Sequence, residues 1–311
     1  MTKSKLRSII LNNSLFRECF FLFGRKKINR NIIDRRIAEL KDYNDNRVVV
    51  KDLIVSLTTY GERLNELQYT LYSLINQTIK PEKIIVNISY EDEKKLPNLL
   101  HLFEKFGVEF YSCENYRSYT KLIPTLIRYP TKNIITVDDD IYYPKKFLEK
   151  LWAEHLSYEN QIICHMVYKI TVDGDKINSY EEWVHNACIE NENQSNFLMG
   201  VGGVLYPPES LYKDVNNSSL FLRLSPAADD IWFYFMSLLA NTKIRQVKGP
   251  LNKLRYVNPY REYGIIDGQT LTQINVGQRK NDIQFNAIRN YYKIDEKKMV
   301  EYITGKKTSI Y

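Results

Sequence analysis

The chain reads as an α/β protein built on a mostly parallel sheet with helices on both faces. Three observations carry that expectation. Apolar runs rich in valine and isoleucine alternate with segments whose leucines recur every three or four residues, the pattern of strands joined by helices. The first half holds three strand-then-helix units in succession, the crossover that parallel strands require. One run, "NIITVDDDIYYP" at residues 133–144, ends in three consecutive aspartates, and open parallel sheets bind ligands at the carboxyl ends of their strands.

The elements follow in order. "VVVKDLIVSLTTYGERLNEL" predicts a strand from Val48 to Leu57 and a turn from Thr58 to Arg63. Leu67, Leu71, Leu74 and Ile75 share one helical face before "NQTIKPEK" ends the element, and Ile84 to Ile88 is the next strand. "LPNLLHLFEKFG" predicts a helix, "VEFYSC" a short strand, "YTKLIPTLIRYP" a helix with Pro124 near its start, and "NIITVDDD" the strand that carries the aspartates. The second half is less regular. "EEWVHNACIENENQSNF" reads as a polar loop, "LMGVGGVLYPPESL" concentrates three glycines in four positions, and "RLSPAADDIWFYFMSLLANT" opens an amphipathic helix at an acidic pair. The expected organisation is a basic extension over 1–47, one domain over 48–290 and a peripheral tail over 291–311.

Composition narrows the function classes. The 311 residues, 44% hydrophobic and 26% charged, suit one large α/β domain. Cys19, Cys113, Cys164 and Cys188 lie far apart with no CxxC spacing, which argues against a disulfide framework or a zinc knuckle and for a reducing, cytoplasmic compartment. No apolar run approaches the ~18 residues of a membrane span, and no signal-peptide pattern opens the chain. Residues 1–47 hold 12 lysines and arginines against 5 acidic residues, so the whole net charge of +7 belongs to that segment. There Phe16, Phe20, Phe21 and Phe23 are interleaved with Arg17, Arg25, Lys26, Lys27 and Arg30. Two readings stay open: residues 1–36 rest on an anionic membrane surface as a peripheral anchor on the inner face of the plasma membrane, or the phenylalanines pack on the main domain. With no separate basic patch or RNA-binding signature, nucleic acid is not an expected partner. Most of the 24 tyrosines are read as compositional bias, not as sugar platforms.

The aspartate triplet carries the chemistry. One aspartate at a strand exit is ordinary turn chemistry, but three adjacent carboxylates disfavour one another's ionised form unless a cation or hydrogen-bond donors hold them. If the strand continues through them, Asp138 and Asp140 share a face and Asp139 points away. Such an Asp-x-Asp pair suits Mn²⁺ or Mg²⁺, which one or two carboxylates hold together with substrate phosphates. Further on, Asp229 and Asp230 begin a helix, where they read either as an ordinary cap with a first-turn acid or as a carboxylate placed to take a proton from an attacking hydroxyl. Lys121, Arg279 and Lys280 are candidates to neutralise a diphosphate, and Trp232 to stack on a sugar or to fill the core.

"VSLTTYGERLNELQYTLYSLINQTIKPEKIIVNIS" followed by "IITVDDDIYYP" resembles the nucleotide-binding half of GT-A-fold (Rossmann-like) glycosyltransferases, in particular the family-2-like bacterial enzymes that build capsule and lipopolysaccharide glycans. The resemblance spans roughly residues 50–290 and is strongest in the first half. It implies a nucleotide held at Thr58, Tyr60 and Arg63, and ribose and metal held at Asp138 and Asp140, with Asp139 an alternative in the register. It also implies a small-residue acceptor loop at Gly200–Gly203 and a base in the pair Asp229–Asp230, the second member preferred. The implied activity is transfer from a nucleotide-diphosphate sugar, a UDP-sugar being favoured, to a glycan or lipid-linked oligosaccharide acceptor, with inversion favoured over retention. The sequence lacks the late histidine that many metal-dependent relatives use, its last being His185, which leaves water or Asp282 as the remaining ligand. The alternatives are a sugar-phosphate nucleotidyltransferase, against which stands the single glycine of "SLTTYGER", and a non-catalytic nucleotide- or glycan-binding subunit.

Overall fold

The computed structural model describes residues 28–40, 45, 47–185, 187, 195–251, 254–262 and 279–310. The cluster from Phe16 to Lys27 lies outside them, as does Cys188.

Helix α1 (Arg30–Glu39) starts on Asn29, whose side chain accepts the Ile32 N–H. Strand β1 (Val49–Thr58) leads through a 3-10 turn (Gly61–Asn65) into α2 (Leu67–Ile75), and β2 (Lys80–Ser89) into the single turn α3 (Tyr90–Glu93). The segment expected as a helix at Asn98–Phe106 is a 3-10 helix that buries Leu100, Phe103 and Phe106, spaced by the three residues that one 3-10 turn brings into line. Next come β3 (Val108–Cys113), a 3-10 turn (Arg117–Lys121), α4 (Ile123–Arg128), β4 (Asn133–Thr136) and α5 (Phe147–Ser157). The second half supplies β5 (Ile162–Cys164), β6 (Val167–Lys169), β7 (Val172–Asp173), β8 (Lys176–Ile177), β9 (Asn196–Leu198) and β10 (Val204–Tyr206). After them come α6 (Ser218–Leu224), α7 (Asp229–Leu239), β11 (Ile244–Gln246), α8 (Pro259–Glu262), α9 (Lys280–Tyr291) and α10 (Glu296–Ile303).

Seven strands form one sheet in the order β11-β5-β10-β4-β1-β2-β3. All neighbours run parallel except at β10, which is antiparallel to both β4 and β5. The expected α/β class, a mostly parallel sheet covered by helices, therefore holds. The chain moves outward from β1 to β2 and β3, then returns to place β4 on the other side of β1, so a crevice opens between the ends of β1 and β4.

Strand alternation divides the core. Ile134, Ile162, Cys164, Val204 and Tyr206 pack on one face with α7, α9 and α10, whereas Ile135, Ile163 and Leu205 pack on the other with α1, α2 and α5. Two expected boundaries move as a result. Ile33 and Ile37 bury α1 in the second cluster, so the extension is partly integral to the domain. The 291–311 tail, expected to be peripheral, puts Met299, Tyr302, Ile303 and Ile310 into the first cluster at 6% exposure or less. Its apolar residues follow a helical period, and the fold supplies the shared core cluster and β8 as the surfaces that bury them.

Candidate active site

The crevice rests on a buried polar platform. Ser56 Oγ donates to the Lys121 carbonyl at 2.7 Å and meets Thr125 Oγ1 at 2.7 Å, while Asn87 Nδ2 donates to both hydroxyls at 3.1 and 2.9 Å. These bonds fix the backbone of Lys121 beneath the ends of β1 and β2, while Asn87 Oδ1 is buried without a partner.

The aspartate triplet departs from the expected strand geometry. β4 ends at Thr136 and Asp139–Asp140 form a turn, so alternation stops before the carboxylates. Asp139 and Asp140 share Arg63, whose Nη1 donates to Asp139 Oδ1 at 2.7 Å and to Asp140 Oδ2 at 2.9 Å. Asp138 instead accepts from Lys121 Nζ at 3.2 Å. The pairing of Asp138 with Asp140 against Asp139 is thus replaced by Asp139 with Asp140 against Asp138. The turn's backbone is held from three sides: the Tyr143 hydroxyl accepts the Asp138 N–H at 2.9 Å, Thr70 Oγ1 donates to the Asp139 carbonyl at 2.6 Å, and the Val257 N–H donates to the Asp140 carbonyl at 2.7 Å. Glu66 in turn holds the 254–262 segment, accepting from Asn258 at 2.8 Å and from Arg261 at 2.7 Å, and it also receives Arg30 of α1 at 2.7 Å. None of these supports shows in the sequence, because each links residues about 70 or more positions apart or is one Glu, Thr or Tyr among many.

Lys121 joins this turn to the acidic pair. Its ammonium lies 3.2 Å from Asp138 Oδ1 and 3.2 Å from Asp229 Oδ2. Burial works against its charge, but Asp138, Asp229 and Asp230 outweigh burial and hold its pKa well above the ordinary lysine value. Asp230 accepts the Gly200 N–H through both oxygens, at 3.1 and 3.2 Å. Desolvation, then the charge of Asp229, raise its pKa to about 7 against the pull of Lys121 and the Gly200 N–H. Asp229 is only 8% exposed, and Asp230 is the more open of the two. Gly200 makes the arrangement fit: a Cβ there would sit 2.8 Å from Asp230 Oδ1 and 2.9 Å from Lys121 Nζ.

The other sequence candidates distribute unevenly. At the end of β1, Thr58 Oγ1 donates to the Asn87 carbonyl at 2.9 Å, and Tyr60 is 55% exposed with the Arg63 guanidinium 5.3 Å from its ring centre. Trp232 is fully buried and donates to the Val215 carbonyl at 3.0 Å, so it belongs to the core and not to a sugar platform. Asp282, proposed as a spare ligand, accepts the Tyr180 N–H at 2.8 Å, and Arg279 lies in the left-handed region ahead of α9.

Whether these carboxylates suit a divalent cation can be judged from the donor set. Among the described residues, five carboxylates (Asp138, Asp139, Asp140, Asp229 and Asp230) meet two cations, Arg63 and Lys121. Asp139 Oδ2 is buried without a hydrogen-bond partner. Among the described residues there is also no group of three or more side chains spaced as a complete cage. Asp139 Oδ2 is thus one unpartnered carboxylate oxygen in this turn, the kind of donor that suits a Mg²⁺ held mainly through substrate phosphates.

The model of glycosyl transferase family 2 matches residues 54–220, just over half of the chain. The chain belongs to that family. The match takes in Lys121, the aspartate triplet and Gly200 and stops short of Asp229, so for this family-2 protein the acidic pair is assigned on geometry. Among solved structures it is similar to S. aureus TarS 1-349, at 13% identity over 66% of this chain with a TM-score of 0.44. It spans 59% of that chain's length. It is also similar to 4-diphosphocytidyl-2C-methyl-D-erythritol synthase from Anaerococcus prevotii, at 13% identity over 65% of this chain and 91% of the other, TM-score 0.38. A CMP:2-keto-3-deoxy-manno-octonic acid synthetase with CTP matches at 10% identity over 71% and 97%, TM-score 0.39. No curated protein matches.

Proposed function

We propose that this family-2 protein moves a sugar from a nucleoside-diphosphate sugar, a UDP-sugar by preference, to a glycan hydroxyl with inversion, and that Asp230 is the base. One observation carries the reading: a partly open carboxylate, raised to about 7, sits one lysine away from a turn of three aspartates at the end of β4. A base whose pKa lies near the working pH is the most effective. The acceptor hydroxyl gives its proton to Asp230. Its oxygen forms the new bond to the anomeric carbon as that carbon's bond to the diphosphate oxygen breaks, and the electron pair leaves on the diphosphate. Asp139 and Asp140, with Asp138 across the turn, would hold the divalent cation, which when bound neutralises charge on the diphosphate. Arg63 keeps the turn in shape, and Lys121 keeps the donor and acceptor carboxylates in register. Work on cell-surface glycans such as capsule or lipopolysaccharide, and contact of residues 1–36 with the inner membrane face, complete the proposal. The support for the latter is the +7 charge of residues 1–47, whose lysines and arginines are interleaved with phenylalanines.

The test combines calorimetric binding of UDP, GDP, CMP and TDP, with and without Mn²⁺, with transfer of labelled sugar. Asp230→Asn is expected to keep nucleotide binding and lose roughly 10²- to 10⁴-fold in transfer. Near-wild-type transfer by Asp230→Asn sinks the base assignment, and no nucleotide binding at all sinks the transferase.

A further inference from the structure

Resting on that reading, we propose that His185, stacked on Tyr168, is the platform on which a pyranose ring of the acceptor glycan lies, beyond the sugar being attacked. The pair is built by strand register. Lys169 and Val184 bridge antiparallel with paired N–H to carbonyl bonds of 2.9 and 3.0 Å, which sets Tyr168 opposite His185. The two rings stack 4.2 Å apart at 6°. On its other side β6 pairs with β9, Tyr168 opposite Phe197, and β9 runs through Met199 directly into Gly200, the residue that holds Asp230. Gly200 is three positions on from Phe197, about 10 Å at ~3.3 Å per strand residue. The platform and the base therefore lie along one small sheet.

The surface between them suits a sugar. His185 is exposed and Val184 is 49% exposed, while Met166, Tyr168 and Met199 are partly open. Tyr180 closes the inner side, its ring 5.9 Å from Tyr168 and its hydroxyl donating to Met199 Sδ at 3.8 Å. The Tyr168 phenol is raised by desolvation and then by the charge of Asp230, so the ring lies within electrostatic reach of that carboxylate. His185 Nε2 meets the Tyr180 carbonyl at 3.2 Å, so Nε2 carries a proton and donates it, and in the neutral ring Nδ1 is then an acceptor. A flat aromatic face that attracts the slightly positive C–H groups of a ring, beside one edge acceptor for a hydroxyl, is the chemistry of pyranose recognition. A core role would bury both rings, and His185 is the outer of the two.

The experiment uses the full chain, a pool of labelled UDP-, GDP- and TDP-sugars, and an array of immobilised glycans. The glycan that wild type labels becomes the acceptor for kinetics on His185→Ala, Tyr168→Leu and His185→Tyr. The expected result is an acceptor KM raised about 5-fold or more in the first two, a donor KM that moves less than twofold, and recovery of most of the loss in His185→Tyr. An acceptor KM within twofold of wild type in His185→Ala and Tyr168→Leu overturns the platform while leaving the transferase reading intact, and so does a loss that folded His185→Tyr fails to restore. A wild type that consumes no donor and labels no glycan overturns the transferase reading, and the platform with it.

Discussion

Gly200→Ala isolates how the base is held. The glycine's backbone lies outside the left-handed region, so alanine adds no backbone strain and acts only through its methyl group. That methyl would meet Asp230 Oδ1 at 2.8 Å and Lys121 Nζ at 2.9 Å, against the 3.4 Å where ordinary contact begins. Asp230 must therefore retreat by about half an ångström. A misplacement of ~1 Å costs about 10²-fold in rate, so half of it costs roughly tenfold. The retreat also stretches the Gly200 N–H bond to the carboxylate. A hydrogen bond to a charged group is worth about 1.5–3 kcal/mol, so its loss lifts the acid limb of kcat/KM from about 7 by roughly one to two units at ~1.4 kcal/mol each. The sign follows from the base being active only when ionised: a higher pKa moves the limb to higher pH. The assay is the pH profile of sugar transfer, with thermal unfolding beside it. Gly203→Ala serves as a contrast, because its φ of +81° and the clash of the added Cβ with the Phe147 ring make that change a loss of stability. A Gly200→Ala enzyme with wild-type kcat and an unmoved acid limb refutes the account of Asp230.

Three further outcomes are expected. Lys121→Met leaves Asp138 and Asp229 without the cation at 3.2 Å, and breaking a buried pair by removing one partner costs about 3–5 kcal/mol, read as a denaturant midpoint, with the acid limb moving up. Asp230→Asn removes a carboxyl that folding raises from 3.8 to about 7; the native state holds that proton more tightly than the unfolded chain, so wild-type stability falls as pH climbs through that window. The Asn variant should gain more Tm relative to wild type at pH 8 than at pH 5, where only the lower part of the window from 3.8 to about 7 has been crossed, and equal shifts at both would contradict the raised carboxyl. Deleting residues 1–27, which spares Arg30 and its bond to Glu66, should cut sedimentation with anionic vesicles while donor turnover persists; undiminished binding counts against the membrane surface.

The sequence by itself determined the α/β class and the first four strands, and it singled out the two acidic clusters that the fold brings together through Lys121. Each is written in a local signal: apolar periodicity over ten residues, or carboxylates whose repulsion demands a partner. Strands β5, β6, β10 and β11 were not legible, because three residues are too few to display a period of two and their pairing comes from distant partners. The register of the triplet was misjudged for a related reason. Where a strand ends depends on hydrogen bonds from Ser56 and Val204 on neighbouring strands, and with β4 stopping at Thr136 the carboxylates fall in a turn that Tyr143, Thr70 and Val257 hold. Only the tertiary structure decided that Lys121 stands between Asp138 and Asp229, that Gly200 presents its N–H to Asp230, and that Tyr168 lies against His185. These are contacts between groups that sequence order keeps apart, and their energies exist only once a shared sheet has removed the water between them.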